Sequence, residues 1–85
     1  MQITNKQFDK IKNIFGYSAD VLKGVELTPY DTTVLTLNES KFLHITPEKN
    51  DEDEDVLFVE IVDTNLNTES YYVFEDGYCE LVEWR

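Results

Sequence analysis

Residues 56–62 read Val56-Leu57-Phe58-Val59-Glu60-Ile61-Val62, a near-continuous apolar run rich in β-branched residues. Such a run is the mark of a strand at the centre of a sheet, where both faces are covered. Upstream, Thr32–Leu37 is β-branched and apolar, Asn38-Glu39-Ser40 is turn-like, and Lys41–Thr46 is a second strand, so these two predict a hairpin. Pro47 is expected to end it and to open an acidic loop over 48–55. Downstream, Asp63–Thr68 is a polar turn. Segments 69–75 and 78–84 then flank Asp76-Gly77, a dipeptide that favours a two-residue type I′ hairpin. The expected strands are 32–37, 41–46, 56–62, 69–75 and 78–84.

A turn at Asp76-Gly77 sets a register in which Phe74 faces Cys79, Tyr72 faces Leu81 and Tyr71 faces Val82. One face then carries Tyr72, Phe74, Cys79 and Leu81, the purer apolar set. The other mixes Tyr71, Val73, Glu75, Tyr78, Glu80, Val82 and Trp84, and is expected to meet solvent or a partner.

The element that covers the first face lies at the N-terminus. Thr4 and Gln7 stand in capping-box spacing, with Ile3 and Phe8 as a hydrophobic staple. Phe8, Ile11, Ile14 and Phe15 recur at helical spacing, while Lys6, Lys10, Lys12 and Asn13 take the other side. The spacing predicts a helix over 5–15, stopped by Gly16. Beyond it, Ser18 is placed to cap one short turn through Leu22, before Gly24 and Pro29. The fold class is therefore α+β: an N-terminal helix packed on a mainly antiparallel sheet of four or five strands. Phe8, Ile11, Ile14 and Phe15 are expected to meet Leu57, Val59, Ile61, Tyr72, Phe74 and Leu81.

Eighty-five residues make one domain, and 41% apolar with 13% aromatic residues is enough to build its core. Cys79 is the only cysteine, which excludes an intrachain disulfide and any multi-cysteine metal site. The polar N-terminus resembles no signal peptide, and no apolar run reaches the ~18 residues of a membrane span. A cytoplasmic protein is expected.

Charge is the feature that points outward. Between Asn50 and Trp84 there are 12 carboxylates and no Lys or Arg, whereas residues 1–49 hold six acids and six lysines. The formal charge is −11. Such a field repels nucleic acid and anionic membrane and attracts the basic grooves that hold nucleic acid.

Catalytic motifs are missing. Asp51, Asp53 and Asp55 match the first three ligand positions of an EF-hand loop, but Val56 replaces the required Gly and Val62 the required Glu. His44 is the lone histidine and has no nucleophile beside it in sequence. Cys79 has no neighbouring base to activate it. No glycine-rich phosphate loop occurs. A non-enzymatic protein without metal or cofactor is expected.

The carboxylates fall into two groups. Glu48 with Asp51, Glu52, Asp53, Glu54 and Asp55 form a loop group, expected to be flexible. Glu75, Asp76 and Glu80 form a hairpin group that shares its surroundings with Tyr71, Tyr78 and Trp84. Residues i and i+2 on one strand face lie ~6.6–6.8 Å apart, close to two steps of the ~3.4 Å charge rise along one DNA strand. Carboxylates interleaved with aromatics are therefore suited to a groove that evolved for nucleic acid.

In size, acidity and the aromatic–acid mixture of residues 69–84, the chain resembles the small acidic anti-defence proteins of phages, the anti-CRISPR and DNA-mimic inhibitors. That resemblance implies a stoichiometric inhibitor acting in the host cytoplasm. It would occupy the DNA- or RNA-binding surface of a nuclease such as a CRISPR effector. The implied partner is a basic nucleic-acid-binding protein, with no direct contact to nucleic acid or membrane, and the inhibitor itself is a monomer or weak homodimer. An immunity protein to a toxic nuclease, or a small structural or assembly protein, are the alternatives.

Overall fold

The computed structural model describes residues 3–15, 22, 24–65 and 67–82. Helix α1 (Asn5–Phe15) precedes five strands: β1 (Thr33–Asn38), β2 (Lys41–Lys49), β3 (Asp55–Asp63), β4 (Thr68–Phe74) and β5 (Cys79–Val82). The strands form one antiparallel sheet in chain order, with β3 at its centre, as its double-sided apolar run requires. The fold is α+β.

The capping box forms as the spacing predicts. The Thr4 N–H donates to Gln7 Oε1 at 3.0 Å, and the Gln7 N–H donates to Thr4 Oγ1 at 3.1 Å. The same two side chains dock the helix. Buried Gln7 donates from Nε2 to the Val73 carbonyl at 3.3 Å, and Thr4 Oγ1 donates to the Glu75 carbonyl at 3.1 Å. Cross-strand rows Leu43–Ile61, Ile45–Val59–Tyr71 and Leu57–Val73–Cys79 build the helix-side face of the sheet. Ile11 is fully buried against this core, and Ile3 and Phe8 pack around it. Leu22, at the end of the expected short turn, and Leu27 are buried there too, core positions that the sequence pattern did not mark.

The hairpin β4–β5 differs from expectation by one residue. Tyr71 faces Leu81, Tyr72 faces Glu80 and Val73 faces Cys79. The cause is the turn. Phe74 donates its N–H to the Tyr78 carbonyl at 2.8 Å and accepts the Gly77 N–H at 2.9 Å, which encloses three residues, Glu75-Asp76-Gly77. Gly77 takes φ +90°, while Asp76 keeps a negative φ and accepts the Tyr78 N–H on Oδ1 at 2.9 Å. A type I′ turn needs positive φ at both central residues, so a three-residue loop with a left-handed Gly replaces it. A one-residue slip flips faces. Tyr72 and Phe74 therefore lie on the face away from α1, and Tyr71 and Val73 lie toward it. Leu81, expected in the core, is on the helix side but 60% exposed at the sheet edge.

Pro47 does not end β2. The strand runs on to Lys49, pairing Pro47 with Leu57 and Lys49 with Asp55, so the connecting loop is 50–54 rather than 48–55. The Pro47 carbonyl points to the side where β1 has ended and accepts the Tyr30 N–H at 2.8 Å. The missing Pro47 N–H faces that same side, so the β2–β3 ladder is intact. Tyr30 itself has φ +65° at the third position of the turn Thr28-Pro29-Tyr30-Asp31, a position that ordinarily calls for Gly or Asn.

The expectations for Gly16 and Ser18, and for the strand beyond Val82, fall outside the described residues, as does the Phe15 side chain. No helix among the described residues is long and apolar enough to cross a membrane.

Candidate partner-binding surface

Alternation along the strands leaves a second sheet face that α1 does not cover. Its cross-strand rows are Glu48–Val56–Phe74, Thr46–Phe58–Tyr72–Glu80, Val34–His44–Glu60–Ser70–Val82 and Thr36–Phe42–Val62–Thr68. Two ring pairs stiffen it: Phe58 with Tyr72, and Phe74 with Tyr78, each with centroids 5.5 Å apart in a tilted arrangement.

The acidic loop folds back over one end of this face. Asn50 organises it: its Oδ1 accepts the N–H groups of Glu52 (3.0 Å) and Glu54 (2.9 Å), its Nδ2 donates to Glu54 Oε1, and its carbonyl accepts the Asp53 N–H. Asp53 completes the turn at φ +64°. The segment expected to be a loose loop is thus an internally bonded turn, because Asn50 supplies the acceptors that its backbone needs. Lys49 reaches Asp55 at 3.0 Å and Asp53 at 3.9 Å, and these two carboxylates hold its pKa up. Asp51, Glu52 and Glu54 line an open cleft of ≈300 Å³ together with Lys49, Asn50, Tyr72, Phe74 and Glu80.

The loop and strand carboxylates, separate in sequence, therefore converge on two aromatic rings. The electrostatics record the crowding. Burial pushes the Tyr72 hydroxyl pKa up, and the charges of Glu48 and Asp51 add to it. Partial burial also raises Glu48.

Charge is divided between the two sides of the sheet. Lys6, Lys10 and Lys12 lie on α1, and Lys41 and Lys49 occupy helix-side positions of β2, Lys49 at the strand's end also bordering the acidic cleft. The uncovered face carries Glu48, Glu60 and Glu80, with no Lys or Arg at any of its described strand positions.

Not every expected residue joins this site. Tyr71 lies on the helix side, where its hydroxyl donates to Glu69 Oε2 at 2.8 Å; burial and that carboxylate push its pKa up to about 12. Asp76 borders a different cleft, beside Lys6, Asp9 and Lys10, and Tyr78 reaches that cleft too while its ring packs against Phe74 at the edge of the site. Glu75 is exposed in the turn, its carbonyl engaged by Thr4. Trp84 lies outside the described residues. Cys79 is half-buried opposite Val73; desolvation raises its thiol, with Lys10 opposing and Glu80 adding to the shift. His44 stands between Val34 and Glu60 on the uncovered face. Phe58, Tyr72 and Phe74 belong to the surface and were not expected there, whereas Glu48 was expected among its loop acids and lies on β2 instead. The Asp63–Asn67 turn was the available signal: Asp63 Oδ1 accepts the N–H groups of Asn65 and Asn67 and sets Val62 against Thr68, hence Phe58 against Tyr72.

No group of three or more His, Cys, Asp or Glu among the described residues is arranged to hold a metal ion. No protein-family model, curated protein or solved structure matches this chain.

Proposed function

We propose that the protein is a non-enzymatic inhibitor that binds a basic nucleic-acid-binding protein and competes with its DNA or RNA. The observation that carries this reading is the convergence of Asp51, Glu52, Glu54 and Glu80 on Tyr72 and Phe74, where four carboxylates outnumber the one cation among the described residues at the cleft, Lys49, which is paired with Asp53 and Asp55. Carboxylates there would stand in for phosphates, and the rings for stacked bases. The long-range field accelerates encounter, while the rings, desolvated on contact, slow dissociation. A host defence nuclease such as a CRISPR effector, met in the host cytoplasm, has the matching chemistry. The nuclease domain of a toxin would have it too, and a toxin gene beside this one would turn the reading toward an immunity protein.

Capture from a lysate of the native host tests the proposal. Partners retained at ~0.3 M salt should be basic and should bind nucleic acid, since weaker charge-only contacts are screened away. Their association rate should fall steeply with ionic strength. A retained partner that binds this protein and its nucleic acid together, with unchanged activity, would refute it.

A further inference from the structure

The acidic cleft occupies only one end of the uncovered face. Away from it, Phe42, Val62, Phe58 and Val82 continue the surface, with Val34 56% exposed at the β1 edge. From Phe42 to Glu48 the face runs six residue steps along β2, about 20 Å. An α-helix of about thirteen residues has that length.

We infer that this face docks an amphipathic α-helix of the partner, apolar on one side and flanked by Lys or Arg. The inference rests on the functional reading above and specifies what the partner presents. A sheet with one helix layer, whose second face mixes half-buried Phe42, Phe58, Tyr72 and Phe74 with polar residues, offers a second amphipathic helix a matching surface. Charge complementarity selects the kind of helix. Glu48, Glu60 and Glu80 are interspersed among Phe58, Tyr72 and Phe74, and the loop acids close one end. A purely apolar helix would bury these carboxylates unpaired, which is costly; basic flanks would pair them. A second copy of this chain fits poorly, because face-to-face packing would bring two faces that both carry Glu48, Glu60 and Glu80 together without a Lys or Arg at their described strand positions.

The test uses the 85-residue protein and three synthetic probes: an 18-residue Leu/Lys peptide with a helical apolar stripe, a scramble of equal composition, and an oligolysine of equal charge. Amide resonances of the protein are followed at ~0.3 M salt. The striped peptide should shift residues of the uncovered face, Phe58, Tyr72 and Phe74 among them, and bind at least tenfold tighter than the scramble. Glu60→Lys, at a half-buried position of this face between His44 and Ser70, should weaken the striped peptide several-fold with the spectrum otherwise preserved. Equal binding of peptide and scramble overturns the inference. So do shifts confined to residues 50–54 and Glu80, although competition by the acids would survive that result. Concentration-dependent shifts on this face without peptide also overturn it, assigning the face to a second copy. Conversely, docking of the striped peptide without displacement of nucleic acid from a captured partner supports the helix site and removes the inhibitor reading.

Discussion

Tyr72 and Glu80 stand directly opposite one another across β4 and β5. Their pairing brings a strand carboxylate beside an aromatic ring that already lies next to Glu48 and the loop acids. Both side chains owe this placement to the three-residue turn two pairs along the hairpin.

Gly77 holds that turn. Its φ of +90° disfavours any side chain, and a Cβ there would sit 3.2 Å from the Lys6 carbonyl oxygen. Gly77→Ala is expected to destabilise the fold by about 1–2 kcal/mol in urea unfolding. An unchanged midpoint would mean the turn relaxes freely away from α1.

Gln7 ties helix to sheet through Val73 and closes the capping box. Gln7→Ala removes both bonds at a fully buried position and leaves the Val73 carbonyl without its side-chain donor. A loss of about 1–3 kcal/mol is expected, again from equilibrium unfolding.

Tyr30 is strained and 65% exposed. Tyr30→Gly should stabilise the protein by about 1 kcal/mol, because Gly adopts the left-handed conformation without a Cβ clash. Thermal unfolding reads this directly, and a lower Tm would show that the ring makes compensating contacts.

Glu48 gives a pH signature. Its pKa is raised in the folded state, so its ionisation opposes folding: its favourable contribution is complete below the unfolded-state pKa and is lost as pH rises through the folded value. Glu48→Gln should therefore raise Tm at pH 7, with the gain shrinking toward zero in acid below the carboxylate range. A Tm gain that persists at low pH would point to a cause other than charge.

Much of the fold was legible because its signals are local. The Thr4–Gln7 box and the apolar stripe through Ile11 place the helix at 5–15, and the run 56–62 places the central strand. Face assignment in the last hairpin was not legible, since Asp76-Gly77 suits two-residue and three-residue turns alike. The choice rests on the Asp76 carboxylate bonding to Tyr78 and on Lys6 packing against Gly77, contacts 71 residues apart in the second case. Pro47 misled for a similar reason: whether proline breaks a strand depends on which side its nitrogen faces, and that is decided by where β1 stops. The loop acids were legible as a group. Their meeting with Glu80 was not, because it needs both the extension of β2 to Lys49 and the shifted register.

The central claim is that the acids around Tyr72 and Phe74 occupy a nucleic-acid-binding surface. Its most direct measurement is a competition titration of a captured partner loaded with labelled nucleic acid. Wild-type protein should release the label stoichiometrically, and the pair Glu52→Lys with Glu80→Lys should release it at least tenfold less effectively, mainly through slower association. Asp9→Lys, on the helix side, should behave as wild type. Label that stays bound at saturating wild-type protein would contradict the account.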